Sequence, residues 1–324
     1  MSAVSRLLTL VEADGVWPAE WLDAFVAMIP KAAGGSRPQD QRPITVLDVL
    51  YRIWSKGVVL TWGPTLHQQY LGTAAMGFRA ESGTLHAAQL LPDVIALRRR
   101  QSAPLWLASF DNEKCFDSLP WWALFRILAH TGNPTPVVAA FESFYRHLHR
   151  RFRYGQVDGV IWHAANGLAQ GCPSSPDLLN ILFEPFHRWA RASGLGVLIA
   201  DTCIPSISFA DDLALLAPSA DDMAQLIDSY LQWCHLLQIN VTKVQLWCNL
   251  PGTHTIQAGG RTWTSSSTFR FVGILLGEPE ARISTAHFQP RVEKALATCQ
   301  RLSTINLPPS TTCLLWRSAM LPQA

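Results

Sequence analysis

The sequence predicts an α+β protein. Apolar, β-prone runs recur at residues 105–111, 204–217 and 269–277, and two of them carry carboxylates at an end or a turn. Longer stretches with helical spacing of apolar residues separate them. The chain has 324 residues, of which 48% are hydrophobic and 15% charged. That is enough to bury a large core and to form two or three compact subdomains.

Composition excludes several classes. A net charge of +2 is too small to argue for nucleic acid by itself, although arginines cluster at Arg98-Arg99-Arg100 and across Arg146, Arg150, Arg151 and Arg153. Seven cysteines lie scattered with no Cys-x-x-Cys pair, which argues against a zinc ribbon and a disulfide scaffold. They read as buried thiols of an intracellular protein, nuclear or cytoplasmic. No uncharged apolar run is long enough for a membrane helix, so no membrane partner is expected. The N-terminus lacks a signal-peptide layout, and there is no internal repeat.

In chain order, residues 1–30 read as helical, with Leu7, Leu8, Leu10, Val11, Trp21, Phe25 and Met28 on inner faces and Pro18 at a helix start. A Gly-bearing loop then separates Lys31 from Arg42. Two cations there suit one polyanion such as a triphosphate; two solvated loop charges fit equally. Residues 47–71 read as a helix with Tyr51, Ile53, Trp54 and Val58 inward and a break at Pro64. Gly77-Phe78-Arg79 leads to a helix over 82–100, with Leu85, Ala88, Leu91 and Ile95 as its stripe despite Pro92. Its terminal arginines suit either the helix dipole or a nucleic-acid backbone.

Residues 105–111 read as a buried strand ending in Asp111, with Pro120 opening the next helix. Helices follow over 121–130 and 136–149, then a hairpin over 151–164 whose arginines could track phosphates. Residues 166–176 form a Gly/Pro-punctuated loop with small residues and one amide. That suits close approach of a flat ligand such as a base pair, or a plain helix start. A helix over 177–192 follows. Residues 204–217 read as a hairpin with Asp211-Asp212 at its tip. Beyond it come a helix over 221–237, an edge strand over 244–248, a strand and turn over 269–277, and helices over 284–304 and 310–320.

The carboxylates are the centre of the functional reading. Ionised Asp among apolar neighbours costs several kcal/mol unless paired, and adjacent Asp side chains repel. A divalent cation resolves both, and Mg²⁺ takes oxygen ligands. A surface turn would also explain an isolated Asp pair. With a third Asp at the end of a second apolar strand, the pattern is that of a metal site for phosphoryl transfer.

The ordered set resembles the reverse transcriptase domain, most closely that of non-LTR, LINE-like retrotransposons. Lys31 with Arg42-Pro43-Ile44 looks like the fingers motif, followed by Gly77-Phe78-Arg79. Asp111-Asn112-Glu113-Lys114-Cys115-Phe116-Asp117 matches motif A. Gly167-Leu168-Ala169-Gln170-Gly171 with Ser175-Pro176 matches motif B, and Phe209-Ala210-Asp211-Asp212 matches motif C. Asn240 with Lys243 resembles motif D. Phe271-Val272-Gly273 with Leu276-Gly277 resembles motif E. Together these span roughly residues 20–280.

The resemblance implies a right-hand polymerase fold, with an antiparallel palm sheet backed by helices. Fingers would cover 1–100 and 119–168, palm 101–118 and 169–281, and an incomplete thumb 282–324. It implies Asp111, Asp211 and Asp212 as the triad for two Mg²⁺ ions, with Mn²⁺ as a substitute. Phe116 would be the steric gate that excludes a 2′-hydroxyl. Gln170 and Gly171 would line the nascent base pair. Lys31, Arg42 and Arg79 would serve the incoming nucleotide, and Lys243 would protonate or neutralise the leaving pyrophosphate. The implied partners are an RNA template, a DNA primer and dNTPs. No endonuclease signature, RNase H pattern or Cys/His knuckle is present, and only about 45 residues follow motif E. The chain therefore reads as a fragment of a longer element protein or a decayed copy. An RNA-dependent RNA polymerase, a maturase-like RNA-binding protein and an inactive remnant are the alternatives.

Overall fold

Among the described residues, a five-stranded sheet, a four-stranded sheet and three two-stranded hairpins make up the β-structure. The computed structural model describes residues 3–31, 37, 40–79, 82–154, 156–277 and 293. The expected thumb over 282–324 and the helices over 284–304 and 310–320 lie outside the described residues, Glu293 apart.

Helix α1 (Ala3–Asp14) and a 3₁₀ turn (Ala19–Leu22) precede β1 (Asp23–Pro30) and β2 (Gln41–Val46). Residues 23–30 are thus a strand, not the continuation of a helix. Its apolar run is compatible with either period, and pairing with β2 on one side and β4 (His149–Tyr154) on the other decides it. On α1 only Val11 is fully buried, and Leu7 and Leu10 are exposed. Helix α2 (Val49–Gln69) buries Tyr51, Trp54, Val58 and Leu66. Ile53 faces solvent, and Pro64 does not break the helix, since Gly63 and Leu66 are buried around it. Tyr51 stacks on Phe144 and Trp17 packs edge-on to both, an aromatic core beneath the first sheet.

Helix α3 (Thr84–Arg100) leads to β3 (Trp106–Asn112), then α4 (Cys115–Ser118), α5 (Trp121–Ala129) and α6 (Thr135–His147). Strand β4 pairs with β5 (Val157–Asp158) and β6 (Trp162–His163), completing the first sheet in the order β2-β1-β4-β5 with β6 on β4. Helix α7 (Ser175–Ser193) begins two residues earlier than its apolar pattern suggests. Small hairpin β7 (Val197–Ile199)–β8 (Thr202–Ile204) precedes β9 (Ser206–Phe209) and β10 (Asp212–Ala217). After α8 (Ala220–Leu236) come β11 (Val241–Cys248), β12 (Thr255–Ala258), β13 (Arg261–Thr264), β14 (Thr268–Phe271) and β15 (Ile274–Gly277).

The second sheet is antiparallel in the order β11-β3-β10-β9. Strand alternation splits its side chains between two cores. Trp106, Ala108, Phe110, Leu213, Leu215 and Leu246 join the main core with α5, α7 and α8. Leu105, Leu107, Ala214, Leu216 and Trp247 join a smaller core with Leu91, Val94 and Ile95 of α3 and Phe269 and Phe271 of β14. The class is α+β, as expected. Among the described residues, no helix is long and apolar enough to cross a membrane, and no disulfide forms.

Candidate active site

The second sheet brings the carboxylates together. The β3–β10 ladder ends with Phe110 opposite Leu213, so Asp111 and Asp212 follow side by side at that end, and both line one cleft. On its other side Asp111 is paired with Lys243 of β11. Asp111 shares a face with Leu105 and Leu107, Asp212 with Ala214 and Leu216, and Lys243 with Trp247. All three therefore project from the smaller-core side, into a cleft of about 700 Å³ also lined by Gln245, Arg270 and Gly273. The β14–β15 hairpin walls this cleft. Its turn, Val272-Gly273, has positive φ at both residues, which is the hairpin geometry that matches strand twist.

Asp211 stands in a two-residue turn, Ala210-Asp211, between the paired Phe209 and Asp212. Ala210 has φ 56, a left-handed conformation that costs a non-glycine residue roughly 1 kcal/mol or more. The surroundings enforce it. Ser208 donates its N–H to the Ala74 carbonyl and accepts from Met76, both at 2.8 Å, and Phe78 stacks on Phe209. Gly77 abuts the tip so closely that a Cβ would lie 2.6 Å from the Ala210 nitrogen. Asn180 of α7 holds that segment by donating to the Gly77 carbonyl at 2.9 Å.

Burial and neighbouring negative charge raise the proton affinity of Asp211 and Asp212. Asp212 is pushed up to about 6, first by desolvation and then by the charges of Asp211 and Asp111. Asp211 is also raised by desolvation and by Asp111, while Arg42 and Lys31 pull it down. Hard oxygen donors of one sign fit a divalent cation. They do not form a finished cage: among the described residues, no three His, Cys, Asp or Glu side chains are grouped closely enough to hold an ion.

A second group of predicted residues sits by the first sheet, outside this cleft. The β1–β2 hairpin pairs Ile29 with Arg42, and the Lys31 N–H donates to the Asp40 carbonyl at 2.8 Å. The loop over 166–176 docks on β2, where Thr45 donates to the Gln170 carbonyl at 2.7 Å. Gly171 has φ 112, and a Cβ there would meet the Thr45 oxygen at 2.7 Å. Only glycine suits both constraints. The Gln170 side-chain amide donates to the Asp117 carboxylate at 3.3 Å. Desolvation raises Asp117, while Gln170, Arg150, Lys114 and Lys31 lower it. Phe116 is half-buried against the main core, and its carbonyl accepts from Leu168 at 2.6 Å.

The predicted residues thus fall into two groups. Asp111, Asp212 and Lys243 line the cleft, while Lys31, Arg42, Phe116, Gln170 and Gly171 do not line it. Asp211 links the groups, since it feels charges from both. Arg79 behaves differently from expectation. Its guanidinium donates to the carbonyls of His67, Gly72 and Ala75, so it braces the segment leading to Gly77. Sequence reasoning missed Asn112, Asn180 and Gln245. Asn112 is buried and bridges the Asp211 carbonyl to Tyr230. Gln245 donates to the Thr268 carbonyl and accepts from the Arg270 N–H, fixing β14 to the sheet. The available signal was an amide at a position that the local period assigns to a core or a covered face, on strands for Asn112 and Gln245 and on helix α7 for Asn180.

Comparison with known proteins agrees with this geometry. The family model described as reverse transcriptase (RNA-dependent DNA polymerase) matches residues 29–276. The chain is 26% identical over 220 residues to the Pol polyprotein of the R2 retrotransposable element of Nasonia vitripennis, covering 68% of this chain and 21% of that protein. It is 26% identical over 253 residues to that of R2DM of Drosophila melanogaster, covering 74% and 22%. The R2 protein of Popillia japonica is 28% identical over 203 residues, covering 61% and 28%. The chain therefore spans about a quarter of the length of these relatives. Among solved structures, apo telomerase from Candida tropicalis superposes with a TM-score of 0.59 at 14% identity, covering 89% of this chain and 54% of that one. The same enzyme truncated from its C-terminal domain gives 0.54 at 16%, covering 87% and 59%. These likenesses show a right-hand polymerase fold. Matched over most of its length by the family model, the chain belongs to the reverse transcriptase family, in its non-LTR, LINE-like branch.

Proposed function

We propose that this chain extends a primer 3′-hydroxyl with dNTPs on an RNA template. The observation that supports the reading is the meeting of Asp111, Asp212 and Lys243 in one cleft, with Asp111 paired to Lys243, beside the strained tip that holds Asp211. Asp111, Asp211 and Asp212 would hold the divalent ions that reverse transcriptases use. Two Mg²⁺ ions, or Mn²⁺ in their place, would supply activation of the 3′-hydroxyl and neutralise charge on the leaving pyrophosphate.

The protein's own work is positioning and charge placement. Lys31 and Arg42 grip the triphosphate from the fingers hairpin; their charges already reach Asp211. Gln170 lines the nascent base pair. Its amide N–H₂ is committed to Asp117, so its carbonyl oxygen is left to accept. Gly171 lets the loop seat against β2. Phe116 occupies the gate position against the sugar C2′. Lys243, opposite Asp111, donates a proton at the leaving oxygen. In this reading fingers cover 1–100 and 119–168, and palm covers 101–118 and 169–281.

The test is primer extension on poly(rA)/oligo(dT) with dTTP and Mg²⁺, beside Asp211→Asn. Extension that disappears in the variant supports the reading. Folded wild-type protein that extends nothing, yet still binds RNA, would replace it with a non-catalytic RNA-binding role.

A further inference from the structure

The residue after Asp111 is a buried amide. Asn112 is 3% exposed, and alternation puts its side chain on the opposite face from Asp111, toward the main core. A polar side chain there is costly unless its atoms are paired. Both ends are paired. Its Nδ2 donates to the Asp211 backbone carbonyl at 3.0 Å, and its Oδ1 accepts from the Tyr230 hydroxyl at 3.0 Å. Tyr230 of α8 is fully buried. Its ring is set edge-on between Phe110, at 4.5 Å, and Phe186, at 5.0 Å. A continuous path therefore runs from α8 through the sheet to the hairpin tip.

The far end of that path is where the ladder stops. Phe209 and Asp212 are the last paired residues, so no strand partner steadies the Asp211 carbonyl. Yet the Asp211–Asp212 peptide plane sets the directions of both carboxylates relative to each other. Gly77 closes against the tip on the Ala210 side. Asn112 holds the tip from beneath.

We infer that Asn112 and Tyr230 are positioning residues that lock the Asp211–Asp212 peptide, and so preset the two carboxylates for a divalent cation. The polymerase reading supplies only the identity of that ligand. Neither residue touches the ion. They act through the Asp211 carbonyl, as outer partners of metal ligands do.

The test measures Mn²⁺ binding to the full chain by electron paramagnetic resonance at pH 8. Wild type is compared with Asn112→Leu, which keeps the volume but loses both hydrogen bonds, and with Tyr230→Phe, which keeps the ring. Thermal melts accompany each. Asn112→Leu should bind Mn²⁺ about tenfold more weakly, with a smaller loss in Tyr230→Phe. In primer extension, kcat should fall while the dNTP KM stays within about twofold. A purely structural role would lower the melting temperature and leave Mn²⁺ affinity unchanged; that result in the folded variants overturns the inference. If Asn112→Leu does not fold, Tyr230→Phe decides alone. Wild type that binds Mn²⁺ but extends no primer overturns the polymerase reading while leaving the lock to stand on the binding data. Wild type that binds no Mn²⁺ overturns the lock.

Discussion

Gly77→Ala tests whether the tip position is enforced from outside. Gly77 is buried, and its φ is not in the left-handed region, so alanine there meets no backbone strain. The whole cost is steric. An added Cβ would sit 2.6 Å from the Ala210 nitrogen and 3.3 Å from the Phe209 carbonyl carbon, against an ordinary contact of 3.4 Å or more. The tip must therefore recede by the difference, about 0.8 Å. The opposing atoms are backbone, so no side chain can swing away. Overpacking of this kind costs roughly 1–3 kcal/mol, and a shift near 1 Å in catalytic groups costs on the order of 10²-fold in rate. Gly57→Ala is the control, since Gly57 lies exposed in α2 with nothing within 4 Å of a Cβ. It should stabilise by roughly 0.5–1 kcal/mol through helix propensity. Urea denaturation gives both stabilities, and single-turnover extension gives the rate. A Gly77→Ala protein with wild-type stability, extending within threefold of wild type, would refute the idea that this contact sets the tip.

Asp211→Asn should abolish extension and leave the apo protein at least as stable as wild type, because it removes one of three mutually repelling charges at nearly constant volume; thermal melts with chelator check this. Phe116→Ala should admit ribonucleotides, read as rGTP against dGTP incorporation, at a cost in stability because the ring also packs on the main core. His187, fully buried between Ser206 at 2.8 Å and Ser208 at 2.9 Å, is held down to about 3 by desolvation. The unfolded chain takes up this proton near pH 6.5 and the folded chain does not. Stability from the neutral ring is therefore intact above pH 6.5 and falls by about 1.4 kcal/mol per unit below it, roughly 2 kcal/mol by pH 5. A His187 ring resonance that titrates near pH 6 in the folded protein would contradict this.

The sheet that carries the aspartates was legible because its strands are both apolar and punctuated. Residues 105–111 and 204–217 could not be helices of useful length, and Asp at an end or a turn marked where each strand meets solvent. The Asp111–Lys243 pairing was not legible. It depends on a bulge between Val241 and Lys243, which shifts the register in a way that no residue type announces. Residues 23–30 misled because Asp-Ala-Phe-Val-Ala-Met-Ile-Pro satisfies both periods; a distant parallel partner, β4, settles the matter. Pro64 misled because tertiary burial outweighs a missing N–H. Hairpin β7–β8 has only three residues a side, and β12–β13 is largely polar, so neither signals strands. Arg79 shows the limit of motif transfer. The position matched the motif, but the guanidinium donates to three backbone carbonyls, whereas the resemblance implies a contact with the incoming nucleotide.

The site is built as an unfinished charge arrangement on a finished scaffold, and this has a thermodynamic signature. Asp212 is raised to about 6 against an unfolded value of 3.8. For this acid the folded chain binds the proton more tightly, so apo stability falls as pH rises from about 4 through 6. That is opposite in sign to the His187 contribution. A bound divalent ion removes the repulsion and competes with the proton, and by linkage it stabilises only the folded state. Metal should therefore raise the melting temperature more at pH 8 than at pH 5.5. Asp211→Asn should lose most of the rise at pH 8, since it removes a ligand. His187 adds equally with and without metal, so it cancels in the difference. Differential scanning calorimetry with EDTA or Mn²⁺ at the two pH values gives the four numbers. An equal metal-induced shift at both, or one that persists undiminished in Asp211→Asn, would mean that the ion binds elsewhere and that these carboxylates are not its ligands.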